Sequence, residues 1–192
     1  MDARELKRRY MERWRVSSAR ERFVLAFLNV YLPQGFGARF VGLGAGSSRL
    51  LDGWYRGLLD AYDIIVMFHG RPAAFVEVTG VSSPREALPG LGYCVGTWKL
   101  SKAPESIRPA IWFAFVIDDE PTILWMSAFR LVSLEKLGLA RRARLHEDER
   151  EVVCASRARW KRFGVFKHWL AEHGVHFARL IEEHLAGVVK GG

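Results

Sequence analysis

Residues 63–79 read Asp63-Ile64-Ile65-Val66-Met67-Phe68-His69-Gly70-Arg71-Pro72-Ala73-Ala74-Phe75-Val76-Glu77-Val78-Thr79. Ile64 to Phe68 is an apolar run of strand length, His69 to Pro72 carries turn chemistry, and Ala73 to Thr79 returns as a second strand. The stretch therefore predicts a β-hairpin. In a hairpin the start of the first strand and the end of the second lie at the same end of the sheet. Asp63 stands just before one strand and Glu77 near the end of the other, so two carboxylates are expected to meet there. Hard divalent cations such as magnesium take one or two carboxylates and fill the remaining positions with water and phosphate oxygen.

Upstream of the hairpin, residues 2–15 predict a charged helix. Ser18 fits the N-cap of a second helix with Glu21 as its capping-box partner, and Phe23, Val24, Phe27, Leu28 and Tyr31 supply that helix's apolar face. Pro33 and Gly35 end it. A short strand from Phe40 to Leu43 is expected, followed by the glycine-rich loop Gly42 to Ser48. This loop lacks the Gly-Lys-[Ser/Thr] ending of a P-loop and does not fit the dinucleotide fingerprint. Downstream, Ser83-Pro84-Arg85-Glu86 opens a turn with proline at the first helical position, and Tyr93 to Ala103 reads as helix. Ile111 to Ile117 and Thr122 to Ala128 read as strands. Helices are expected from Leu134 to Ala143, Ala158 to Glu172 and Val175 to Val188, the last two separated by His173-Gly174. The expectation is one α/β domain over residues 1–192, with a mixed central sheet flanked by helices, a core of about 19–130 and extra C-terminal helices over about 131–190.

Composition narrows the partners. The 192 residues are 49% hydrophobic and carry a net charge of +8, a balance that folds and attracts polyanions. Arginines gather at Arg13, Arg15, Arg20 and Arg22, at Arg141, Arg142 and Arg144, and around Trp160 with Arg157, Arg159, Lys161 and Arg162. Arginine favours bidentate phosphate contacts. No apolar run approaches the roughly 18 residues of a membrane span, and the charged start lacks the apolar core of a secretory signal; a cytoplasmic location is expected. Cys94 and Cys154 lack the spacing of a zinc site and read as two small core residues. The scattered histidines do not form a helical zinc pair.

From about Ala19 to Phe129 the chain resembles the PD-(D/E)XK nuclease superfamily, in particular its archaeal Holliday-junction-resolvase and restriction-endonuclease-like branch. The likeness rests on a helix bearing Glu21, Gly35-Phe36, the Gly42 to Ser48 loop, the Asp63 strand, and the Phe75-Val76-Glu77-Val78-Thr79 strand with a helix and an apolar strand beyond. It implies magnesium- or manganese-dependent phosphodiester hydrolysis. Asp63, Glu77 and the backbone carbonyl of Val78 would be the metal ligands, and Glu21 an outer acidic partner, although its capping position also accounts for Glu21. The family pattern has lysine two residues after the glutamate, and this chain has Thr79. Some members supply that lysine from the next helix, and Lys99 is the first candidate here. Lys102 shares its helical face.

The expected substrate is DNA, RNA being the weaker alternative, and a homodimer is the candidate assembly. Ser47, Ser48 and Arg49 on the glycine-rich loop, with Lys102, Arg159, Trp160 and Lys161, are the candidate nucleic-acid contacts. Trp160 is the candidate base-stacking platform among them. The competing reading is a nuclease fold that has lost catalysis and serves as a nucleic-acid-binding or complex-forming module.

Overall fold

The 63–79 stretch folds as its alternation demands. β2 (Ile64–Phe68) and β3 (Arg71–Val81) pair antiparallel across the two-residue turn His69-Gly70. Both turn residues have positive φ, 45° and 83°, as a type I′ turn requires, and glycine accepts that backbone without strain. A bulge between Val66 and Met67 shifts the register, so that Ile64 faces Val76 while Phe68 faces Arg71. The computed structural model describes residues 3–41, 62–101, 104–120, 122–144 and 151–190. The glycine-rich loop with Ser47, Ser48 and Arg49, and also Lys102, lie outside these.

Around the hairpin a five-stranded sheet assembles in the order β1-β2-β3-β5-β6, where β1 is Phe36–Phe40, β5 Ile111–Ile117 and β6 Thr122–Ser127. β3 and β5 run parallel, with Glu77 opposite Phe113, and the other pairings are antiparallel. The mixed α/β sheet expected from sequence is present. β5 is buried along its whole length, the pattern of a strand covered on both faces.

One face carries Ile64, Val66, Val76, Val78, Trp112, Ala114 and Trp125 under Val24, Leu28, Phe166 and Leu170. The last four come from α1 (Ala3–Tyr31) and α4 (Phe163–Lys190). The opposite face carries Ile65, Phe75, Phe113, Phe115 and Met126. It is covered by α2 (Thr97–Ser101), α3 (Ala128–Lys136) and a second sheet in the order β4-β8-β7, formed by Tyr93–Gly96, Glu151–Ala155 and Ala140–Arg144.

Several expectations are corrected here. Ser18 caps no helix: α1 runs unbroken for 29 residues, because no proline or glycine interrupts the chain between its two expected halves. Ser18 and Glu21 are instead buried on its inner side, 7% and 3% exposed. The first strand lies at Phe36–Phe40, earlier than expected. Tyr93 to Ala103 divides into β4 and α2, and the helix placed at Leu134 to Ala143 is α3 followed by β7. Ser127 caps α3 by accepting from the Arg130 N–H at 3.2 Å, and Gly138, at φ 70°, follows its end. The segment 131–190 therefore contains β7 and β8 besides helix. His173-Gly174 does not divide α4. A Cβ on Gly174 would lie 2.8 Å from the Phe36 ring, so glycine stands there because helix and strand touch too closely for a side chain.

Both outer strands meet a single residue that copies a strand's hydrogen bonding. On β1, Ala38 receives both bonds from the Asn29 side chain, its N–H donating to Oδ1 (2.9 Å) and its carbonyl accepting from Nδ2 (3.1 Å). On β6, Trp125 exchanges both backbone bonds with Lys161, at 2.8 and 2.9 Å.

The cysteines also differ from expectation. The register puts Cys94 of β4 directly opposite Cys154 of β8, their Cα atoms are 4.0 Å apart, and they form a disulfide. Two cysteines 60 positions apart reveal nothing of this until β4 and β8 are known to pair. Among the described residues no helix is long and apolar enough to cross a membrane.

Candidate active site

The site forms where β2 runs out. Ile64 is the first β2 residue paired with β3, opposite Val76, so β3 continues past its neighbour. Asp63 bridges the step. Its N–H donates to the Val76 carbonyl at 3.2 Å, and its carboxylate Oδ2 accepts the Val78 N–H at 2.8 Å. The aspartate side chain thus takes the place of the next ladder bond. The N–H and C=O of a strand residue point the same way, so the Val78 carbonyl faces the Asp63 edge as well.

Glu77 lies between these two bonds and is 4% exposed. A carboxylate that deep is costly unless a counter-charge meets it. Lys99 of α2 supplies one, its Nζ pairing with Glu77 Oε1. The same ammonium acts on Asp63. Burial raises the Asp63 carboxyl above its ordinary value, against the opposing pull of the Lys99 charge and the Val78 N–H. A cleft of about 480 Å³ opens beside the group, with Ser17, Arg20, Thr79, Ser82, Glu86 and Lys99 among its walls. Lys99 and Thr79 thus share one cleft, although the lysine comes from another element.

Glu21 is carried on α1, which packs against β3. It follows Arg20, whose guanidinium donates to the Gly80 carbonyl at 3.0 Å and clasps Asp118 at 2.9 and 2.7 Å. Ser18, Glu21 and Glu77 are the buried polar residues among those described. No group of three or more His, Cys, Asp or Glu side chains is gathered as a metal cage among the described residues. The oxygen donors on offer are Asp63, Glu77 and the Val78 carbonyl.

The expected nucleic-acid contacts fare differently. Trp160 is 4% exposed, packs edge-on against Phe115 at 5.3 Å, and donates its indole N–H to the Ala155 carbonyl at 3.3 Å. A ring so enclosed stacks on no base, and that expectation is withdrawn. Lys161 runs along the outer edge of β6. From Val78 the sheet steps through Ala114 and Trp125 to Lys161, about 14 Å at ordinary strand spacing. Arg159 precedes it by two residues, so this trio is not brought to the carboxylates. Three arginines counted toward phosphate binding are engaged within the chain: Arg20 by Asp118, Arg142 by Glu135 and Glu151, and Arg157 by Glu120. Sequence reading also missed Tyr62, whose hydroxyl donates to the Lys99 carbonyl at 3.0 Å. Its position next to Asp63 was the only signal.

A family model described as viral/archaeal nuclease matches residues 14–165, a span that holds Glu21, Asp63, Glu77 and Lys99. The chain belongs to the viral/archaeal nuclease family. Among solved structures, D212, a nuclease from a fusselovirus, superposes with a TM-score of 0.54 over 88% of this chain and 94% of that one. At 17% identity this likeness speaks for a shared nuclease fold. No curated protein matches the chain by sequence. Both findings agree with the PD-(D/E)XK resemblance, and family membership makes nucleic acid the substrate class of this viral/archaeal nuclease relative.

Proposed function

We propose that the chain is a divalent-metal-dependent nuclease that hydrolyses DNA phosphodiester bonds, with Asp63, Glu77 and the Val78 carbonyl as ligands of magnesium or manganese. The observation that carries this reading is the buried Glu77 carboxylate on β3 just beyond the end of β2, paired with Lys99 and one residue from the Val78 amide that Asp63 binds. The donors are all hard oxygens, which suits magnesium and manganese and does not suit the softer metals that seek sulfur or imidazole. An ion bound there supplies an acidified water and neutralises charge on the phosphate.

The protein's own groups do the rest. Asp63 and Glu77 are held by backbone and ion pair before any substrate arrives, so they need little rearrangement. Lys99 offers a cation where negative charge develops on the attacked phosphate, fulfilling the role that Thr79 cannot. Removing one such preorganised donor typically costs about 3 kcal/mol. Lys99→Ala is therefore expected to slow cleavage on the order of 100-fold, with DNA affinity little changed, as single-turnover kinetics beside a binding titration will measure. A Lys99→Ala enzyme that cuts at the parental rate removes lysine from the mechanism.

Thr79 in the usual lysine position favours a second reading, a binding module without catalysis. A panel of linear, single-stranded and four-way-junction DNA, with an RNA counterpart, in magnesium, manganese or EDTA separates the two. Metal-dependent cutting supports the nuclease; binding without cutting in either metal supports the module. The +8 net charge predicts in either case that duplex affinity falls steeply with salt as phosphate counterions are released. Titrations at 50 and 200 mM salt are the measurement, and affinity that ignores salt returns the charge to an ordinary surface role.

A further inference from the structure

Lys99 reaches Glu77 from α2, a helix of five residues. So short a helix does not hold its own shape in water, so its orientation is imposed by its neighbours. At its start, Thr97 Oγ1 donates to the Glu151 carbonyl of β8 at 3.1 Å, and the preceding strand, β4, is paired and disulfide-linked to β8. These ties fix α2 to the second sheet. They do not fix it to the strand end that carries the carboxylates.

Besides the Lys99–Glu77 pair itself, a link to the backbone of α2 comes from Tyr62. Its side chain is buried, 2% exposed, with its ring 5.7 Å from Phe75. Its hydroxyl donates to the backbone carbonyl of Lys99 itself. Tyr62-Asp63 therefore provides a carboxylate to the site with one residue and grips the lysine backbone with the other.

We propose that Tyr62 is a positioning residue, whose hydroxyl ties the Lys99 backbone to the segment bearing Asp63 and so sets the ammonium and both carboxylates in one frame. The inference rests on the nuclease reading of Asp63, Glu77 and Lys99. Small displacements of a reacting group, of about 1 Å, cost up to 100-fold in rate, and a lysine on a loosened turn suffers a displacement of that kind.

The test compares the parent, Tyr62→Phe, Lys99→Ala and the double variant in magnesium-dependent cleavage of DNA, below the melting temperature of each. Tyr62→Phe removes one oxygen and keeps the packed ring. It is expected to lower kcat on the order of tenfold while KM and DNA affinity stay within about twofold. In the Lys99→Ala background the same change should cost nothing further, because residues that act as a unit are not additive. Tyr62→Leu, a second filling without a hydroxyl, should repeat the pattern. An unchanged kcat in Tyr62→Phe, a change in KM alone, or an equal loss with and without Lys99 overturns the proposal. A Lys99→Ala enzyme with parental kcat overturns the reading beneath it as well, whereas a slowed Lys99→Ala with an additive Tyr62→Phe overturns this inference alone.

Discussion

Asp63→Asn is expected to abolish cleavage, to leave DNA binding intact or slightly tighter, and to make the metal-free protein more stable at neutral pH. Asparagine keeps an oxygen for the Val78 N–H, which Asp63 receives at 2.8 Å, so the end of the strand should hold its shape. What disappears is a negative charge needed for a metal ligand and unfavourable to an approaching phosphate. The stability gain follows from burial, which raises the Asp63 carboxyl in the folded protein. A carboxyl raised on folding carries no penalty where both states are protonated, below about pH 3.9. As pH climbs through the folded value, the ionised group increasingly favours the unfolded chain. Melting curves in EDTA should therefore put the variant above the parent at pH 7 and bring the two together in acid. Adding magnesium should raise only the parent, since a ligand that binds the native state stabilises it. An Asn variant that cuts like the parent would mean that the metal site lies elsewhere.

Opening the Cys94–Cys154 bridge is expected to cost about 4 kcal/mol of folding stability. In the chain-entropy account, cross-links closing loops of roughly 15 and 100 residues give about 3 and 4.7 kcal/mol. The sequence separation here is 60. A domain of this kind has on the order of 5–15 kcal/mol in total, so the bridge holds a large share. Urea titrations of the oxidised protein, the reduced protein and a Cys94→Ser/Cys154→Ser double variant measure it. The reduced parent and the double variant should share one lowered midpoint, and the double variant should ignore reductant. Identical midpoints for oxidised and reduced parent would show that the bridge contributes nothing.

What could be read from the sequence was what lies close along the chain. The hairpin announced itself by an apolar run, a His69-Gly70 turn and a returning run, and from that alone Asp63 and Glu77 fell at one end of the sheet. Lys99 was legible as the substitute for the lysine absent at Thr79, and the structure pairs it with Glu77. The rest depended on partners far along the chain. β4 was taken for helix because its residues become a strand only against β8. The disulfide was hidden for the same reason. Ser18 carried a correct capping signal that the chain does not use, since nothing stops the helix before it. Trp160 looked like a surface ring between two cations, and its packing on Phe115 could not be seen before the two sheets faced each other.

The residues Asn29 and Lys161 bear on how copies of this protein meet. An open edge strand is a template on which another chain can add a strand, the usual route to runaway sheet growth. Here the midpoint of each outer strand is already occupied, at Ala38 by an amide side chain and at Trp125 by a backbone bridge. A strand arriving at either side of the five-stranded sheet would have to evict a bonded residue before it could lie down. Crowding many copies along one nucleic acid, as a basic protein tends to do, therefore does not offer these edges to one another. Among the described residues, the edges still open to strand addition are those of the second sheet, β4 and β7.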